Sequence, residues 1–242
     1  SNRSFTAVFK EKKHLSLTTD SNGSLANDLT GHYPEGTKIN LNDAQPVGNE
    51  GYELDCWKEY GLGWTGSGSD VALEGGQPIV NIGSSNWFKA LFKLKNYTVS
   101  FEENGGTSVP DQTVTHGQKA SKPSPDPTRS GCDFVGWYSD ENLTNAFDFN
   151  STITDTTTIY AKWSIVGMSV TGYDDVYDGM PHSVSVSGTQ PGDTVTYSID
   201  DVTYSSTKPD YTDVTAGVTV YVKVERAGAD DYYGSAVVKI TK

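Results

Sequence analysis

Along most of this chain apolar and polar residues alternate one for one, which is the period of a half-buried β-strand and not of a helix. In Tyr97-Thr98-Val99-Ser100-Phe101 the apolar members fall on one side, with Thr98, Ser100 and Glu102 on the other. Related alternating stretches are Phe5-Thr6-Ala7-Val8-Phe9, Phe88-Lys89-Ala90-Leu91-Phe92 and Tyr160-Ala161-Lys162-Trp163. Asn104-Gly105-Gly106 supplies residues that tolerate positive φ, so a hairpin turn is predicted after the strand at 97–101. Pro123, Pro125 and Pro127 fix φ and remove backbone donors, and that segment is expected to cross the surface extended and outside any sheet. Beyond Trp163 four further short strands are predicted, carried by Val184 and Val186, by Val195, Tyr197 and Ile199, by Val218 to Val224, and by Ala236 to Ile240. Turn residues at Gly188, Pro191-Gly192-Asp193, Gly217 and Gly228 separate them, the spacing of a β-sandwich.

The strands organise into repeats. Ala7, Ala90 and Ala161 mark corresponding places in three closing strands, Gly36-Thr37-Lys38 lines up with Gly117-Gln118-Lys119, and Gly51 to Trp57 lines up with Gly131 to Trp137. The first repeat carries an added loop, Tyr60 to Ser69, whose Gly and Ser content marks a surface feature. Phe134, Trp137, Phe147, Phe149 and Trp163 give the second repeat enough aromatic area for a small core, with Trp57 matching Trp137 and Trp163 near a module junction. Trp64 and Trp87 have no counterpart in the second repeat. They are the candidates for exposed rings that stack on a sugar, although packing is the commoner use of an aromatic in a small β domain.

From Tyr97 to Trp163 the landmarks, including Gly-x-x-Phe-x-Gly-Trp at 131–137 and Tyr-Ala-Lys-Trp at 160–163, resemble the internalin-type B repeat, also called the Listeria-Bacteroides repeat. Cys132 stands where that family usually carries an aromatic. The first repeat resembles the divergent class of the same unit. From Ile165 onward, Tyr177-Asp178-Gly179-Met180-Pro181-His182, Gly192 to Ser198 and Tyr233-Gly234-Ser235-Ala236 resemble bacterial Ig-like modules of the Tyr-Asp-Gly type. The resemblance implies a mostly β chain of tandem small modules, elongated, with two β-grasp-like (ubiquitin-like) B repeats and one Ig-like β-sandwich. The expected boundaries are 1–10 for a tag remnant and the closing strand of a preceding repeat or an extra edge strand, 11–95 for the divergent repeat, 96–164 for the typical one and 165–242 for the Ig-like module. Gly105 and Gly106 take structural roles in the turn, and Trp57, Trp137, Trp163 and Phe134 in the cores.

Composition narrows the functional classes. Lys+Arg 18 against Asp+Glu 31 gives a net charge of -13, which argues against charge-driven binding of nucleic acid or anionic lipid. Only 2 Cys occur, Cys56 and Cys132. They are too few for a disulfide scaffold, and both are expected to be free and mostly buried. No long apolar run spans a membrane, and no signal peptide opens the chain, so it reads as an excised fragment whose export signal and any wall anchor lie outside it. A monomer is expected, since no heptad pattern is visible.

Candidate chemistry is sparse. His14, His32, His116 and His182 show no metal-ligand spacing, so solvated or turn roles are the ordinary reading, and neither Cys has a neighbouring His. Glu74-Gly75-Gly76-Gln77 and Asn104-Gly105-Gly106 lack a following helix and a phosphate-binding lysine. The acidic pairs Asp174-Asp175, Asp200-Asp201 and Asp230-Asp231 lack the alternating calcium-loop pattern, which leaves solvated loop charge as the default. The expectation is therefore a non-enzymatic chain without catalytic or metal residues and without cofactor. It is an extracellular segment of a secreted or wall-anchored bacterial surface protein, acting as a semi-rigid spacer or as an adhesion module for a host or cell-surface protein or glycan. The competing expectation is a carbohydrate-binding accessory region of a larger secreted glycan-active enzyme. The linker at Ser164 to Gly167 has no flexible Gly/Ser tract, so a restricted relative orientation of the flanking modules is predicted.

Overall fold

The computed structural model describes residues 11–83 and 86–242; the alternation at residues 5–9 lies outside them. The chain is nearly all β, and Leu41–Ala44, a single 3-10 turn, is the helix among the described residues. Contacts divide it into two compact units. Among the described residues, one comprises those up to 97 with 114–118 and 153–155, and the other comprises 98–113, 119–152 and 156–242.

In the first unit the strands are β1 (Lys12–Thr19), β2 (Gly23–Leu25), β3 (Gly31–Pro34), β4 (Lys38–Asn40), β5 (Pro46–Gly48), β6 (Tyr52–Gly61), β7 (Thr65–Asp70), β8 (Ile79–Asn81) and β9 (Trp87–Leu94). The main sheet has the order β3-β1-β9-β6-β7, while β2 with β5 and β4 with β8 form small two-stranded sheets. β9 is central, parallel to β1 and antiparallel to β6. Its alternation places Phe88, Ala90 and Phe92 in the core with Leu15, Ile39, Leu41, Trp57, Val80 and Ile82. A register shift between Leu54 and Cys56 changes the parity of β6. As a result Tyr52, Leu54 and Trp57, which strict alternation would split between two faces, pack on one core.

The same wiring recurs further along, in β10 (Asn96–Glu102), β11 (Gln112–Thr115), β12 (Cys132–Tyr138) and β13 (Thr157–Ile165). The sheet order is β11-β10-β13-β12, and β13 is parallel to β10 and antiparallel to β12. A bulge between Phe134 and Gly136 matches the one between Leu54 and Cys56. It lets Phe134 touch both Trp137 and Trp163 edge-on, at ring separations of 5.5 and 5.3 Å, while Phe101 meets Trp137 at 5.0 Å. Trp137 and Trp163 are buried, whereas Phe134 is half-exposed at the core's rim. The turn at Asn104-Gly105-Gly106 is present: Asn104 and Gly105 both have positive φ, and a side chain at Gly106 would run into the Trp163 ring. The connection back to β11 is long, through 103–111, so the hairpin is wide where the sequence suggested a tight one.

The remaining strands are β14 (Ser169–Thr171), β15 (Tyr173–Val176), β16 (Ser185–Ser187), β17 (Thr194–Ser198), β18 (Thr215–Glu225), β19 (Ala229–Asp230) and β20 (Tyr232–Thr241). The four-stranded sheet β15-β20-β18-β17 turns Val220, Val222, Val224 and Val238 inward, against Val170 and Val186 of the β14–β16 pair. This is a two-sheet sandwich with a valine core. Ile199, expected in a strand, lies past the end of β17 and is 64% exposed, because Ser198 and Asp200 close a turn there. Both cysteines are free but only half-buried, short of the burial expected.

Candidate functional site

Two places stand out in the described residues, an aromatic cluster in the first unit and a set of contacts around corresponding glycines of the two repeats. The cluster forms because the β6–β9 register sets Tyr60 directly opposite Trp87. The hairpin then folds Trp64 back onto them, with ring centroids 5.2 Å from Trp87 and 5.9 Å from Tyr60. Trp64 adopts φ 63°, a left-handed conformation that a bulky side chain enters only under local constraint. Its backbone N–H donates to Gly61 O at 3.0 Å, which holds the turn. Both tryptophans are half-buried, and Leu62 at the tip is 77% exposed. A hollow of about 280 Å³ beside Trp87 is lined by Lys13, His14, Leu62, Gly83 and Asn86. His14 and His32, paired across β1 and β3, bring their rings to 4.8 Å.

The glycines are Gly51 and Gly131, each just before the tryptophan strand of its repeat, with φ 78° and 65°. In each case the carbonyl accepts the N–H that follows the closing strand: Lys95 to Gly51 at 2.8 Å, and Val166 to Gly131 at 3.1 Å. A side chain from the next stretch of sequence covers each glycine where a Cβ would otherwise stand. Over Gly51 lies the His116 ring, which also meets Tyr97 at 5.9 Å and whose buried Nδ1 has no hydrogen-bond partner. Over Gly131 lie Gln190 and Arg226.

Arg226 is the most constrained polar group among these. Its side chain is 5% exposed and that of Asp193 2%. Nε and Nη2 donate to Oδ1 and Oδ2 of Asp193, both at 2.7 Å, a two-pronged pairing. Nη1 donates to Gly131 O at 2.9 Å and lies 3.4 Å from Cys132 Sγ. The guanidinium, helped by the Gln190 N–H, holds the Asp193 carboxyl below the usual carboxylate range. Around this centre Arg129 Nη1 donates to Ala227 O at 2.9 Å, Gln190 Nε2 to Ser130 Oγ at 3.1 Å, and Lys162 pairs with Asp230 at 3.0 Å. Trp163 and Ser164 of β13 pair in parallel with Ala229 and Asp230 of β19. A sheet built on β10, β12 and β13 thus continues into the sandwich by backbone hydrogen bonding, with a buried ion pair beside it.

Residues 97–162 match the Listeria-Bacteroides repeat domain. The chain is also 42% identical over 91 residues to a protein of Evansella cellulosilytica described as "Putative membrane protein", covering 37% of this chain and 13% of that one. It is 44% identical over 82 residues to a second protein of that organism, described as "Putative Gly-rich membrane protein", covering 34% and 9%. The chain therefore spans only a small part of these curated relatives. No helix among the described residues is long and apolar enough to cross a membrane.

Within the matched residues Trp137 is buried, yet its Nε1 has no partner among the described residues, whereas the corresponding Trp57 Nε1 of the first unit donates to Asn42 Oδ1 at 3.1 Å. The other sequence candidates disperse. His182 Nε2 lies 2.8 Å from Asp178 and its ring stacks on Tyr173 at 3.6 Å. Asp200 is lowered to about 2 by the Ser198 hydroxyl and by the Thr203 and Val202 N–H groups, closing a turn. Asp174 pairs with Lys239, and Asp231 with Lys223. Among the described residues no three His, Cys, Asp or Glu side chains converge as a metal site would require. Sequence reasoning missed Arg226 and took Asp193 only as a turn residue. The one available signal was a charged pair in turn segments, Gly192-Asp193 and Arg226-Ala227-Gly228, of a region otherwise short of buried polar groups.

Proposed function

We propose that this chain is a non-catalytic segment of a bacterial surface or secreted protein, in which small β modules are coupled in series as a semi-rigid spacer and present their outer faces to a host or cell-surface partner. The sandwich takes the part of an Ig-like module of the Tyr-Asp-Gly type. The match of residues 97–162 and the membrane-protein descriptions of the relatives support a surface setting. The observation that carries the spacer reading is the Arg226–Asp193 pair, whose guanidinium also donates to Gly131 O. A buried pair of this kind adds little net stability over apolar packing, because desolvation offsets much of the Coulomb gain. It does define one arrangement, since any hinge at the 131/226 contact would strand a buried charge. A freely jointed string would leave that arginine in solvent.

Backbone ¹⁵N relaxation on the whole chain tests this reading. Residues 119–152 and 165–242 should report one shared rotational correlation time and diffusion tensor in the native chain, and separate ones in Arg226→Ala. Independent tumbling of the two regions in the native protein would overturn the spacer reading, and turnover on a panel of glycan and peptide substrates would overturn the non-catalytic one.

A further inference from the structure

We infer that the hollow beside Trp87, whose ring is held by edge contact with Trp64, is a saccharide-binding site that takes one pyranose unit of a neutral glycan. The inference goes beyond the spacer reading, and neither depends on the other. The hairpin that carries Trp64 is an addition absent from the second repeat, so the basic fold does not need it. Holding a tryptophan at φ 63° costs conformational energy, and such strain persists where the surrounding structure enforces it. The result is two tryptophan rings set at 84° to each other, half-exposed, on a chain whose other tryptophans are buried core residues.

The chemistry of the hollow selects the ligand. Its volume of about 280 Å³ falls just under the range of roughly 300–1,000 Å³ typical of sites that engulf a drug-sized molecule. It suits a single sugar ring whose chain continues into solvent. A pyranose has an apolar face of C–H groups and a rim of hydroxyls, and this hollow has the same two-sided character: Trp87 and Leu62 offer apolar surface, His14 and Lys13 a polar edge. On a chain of net charge -13 no carboxylate among the described residues lines it, and Lys13 is already neutralised by Glu11 at 2.8 Å. An uncharged, hydroxyl-rich ligand therefore meets neither repulsion nor an uncompensated charge. Asn86 fixes the floor by a reciprocal pair of hydrogen bonds with Gly83, at 2.9 and 2.8 Å.

The test is titration of the whole chain with soluble neutral glycans (a β-1,4-glucan oligosaccharide, a β-1,3-glucan and a mannan) and with one anionic glycan, polygalacturonate. The readouts are calorimetry and tryptophan fluorescence. Binding of at least one neutral glycan is expected, with a tenfold or greater loss in Trp87→Ala and Trp64→Ala. Trp64→Phe should retain part of the affinity, and Leu62→Ser, at an exposed tip, should weaken binding severalfold while leaving the melting temperature unchanged. That last variant separates loss of the site from loss of the fold. Absence of binding to every neutral glycan, preference for polygalacturonate, or binding that survives both tryptophan substitutions would each overturn the assignment, and the relaxation result bearing on the spacer would be untouched.

Discussion

Gly51 and Gly131 occupy corresponding places in two repeats, with the same left-handed backbone, the same carbonyl accepting the N–H after the closing strand, and a following side chain laid over each. What covers them differs in kind. Gly51 is covered by an aromatic imidazole, and its interactions are those of packing. Gly131 is covered by a guanidinium that is charged at any accessible pH, wedged between a carboxylate and a carbonyl. The comparison teaches that one backbone geometry serves two chemistries, an aromatic contact within the first unit and a charged coupling within the second.

The largest expected effect comes from removing one partner of the charged coupling. Arg226→Ala leaves Asp193 buried without its counter-ion and should cost about 3–5 kcal/mol in denaturant unfolding of the region that contains it. The Arg226→Ala/Asp193→Ala double variant should recover much of that loss. Additive losses would show that the two side chains act independently. Next is Gly51→Ala. It combines a positive φ with a clash against the His116 ring, and should cost about 2 kcal/mol, partly relieved by His116→Ala. At Gly131→Ala the φ penalty is similar, but the nearest obstructing atom, Gln190 Nε2 at 2.5 Å, is the end of a side chain that can shift, with the ion-paired Arg226 Nη1 further off at 3.0 Å. A loss of about 1 kcal/mol is expected there, and displacement of Gln190 and Arg226 should show as the separate tumbling expected of Arg226→Ala.

Acid should distinguish the couplings further. The Asp193 carboxyl is held low in the folded chain by Arg226, so the stability it carries is complete above the carboxylate value of the unfolded chain. It disappears as pH falls through the lower folded value. The difference in stability between the native chain and Arg226→Ala should therefore shrink progressively below the ordinary carboxylate range, as followed by urea melts at stepped pH. The smallest effect belongs to Cys132→Ser, which exchanges a weak sulfur acceptor 3.4 Å from Arg226 for a hydroxyl and should change stability by about 0.5 kcal/mol or less.

Much of the architecture could be read from the residues. The inward Phe88, Ala90 and Phe92 of β9, the buried Val99 and Phe101 of β10 and the valines of β18 follow from period-two alternation and lie where that period puts them. The bulges at Leu54/Cys56 and Phe134/Gly136 were not legible, because one extra residue in a strand changes parity without changing composition. The pairing of Trp64 with Trp87 was hidden for a related reason: it depends on the register of two strands and the fold-back of a glycine-rich loop. Arg226 was hidden by distance. Its partners Asp193 and Gly131 are 33 and 95 residues away, and nothing local to Glu225-Arg226-Ala227 marks the arginine as buried.

The short β19 has a consequence for crowding. β10 pairs with β13 only as far as Tyr160, and Ala229 and Asp230 take up the hydrogen-bonding positions at Trp163 and Ser164, while β12 runs along the opposite side. Those outer peptide groups are therefore already satisfied within the molecule, and a neighbouring copy finds no ladder there to extend. Association of two copies edge to edge is closed off along this stretch of β13.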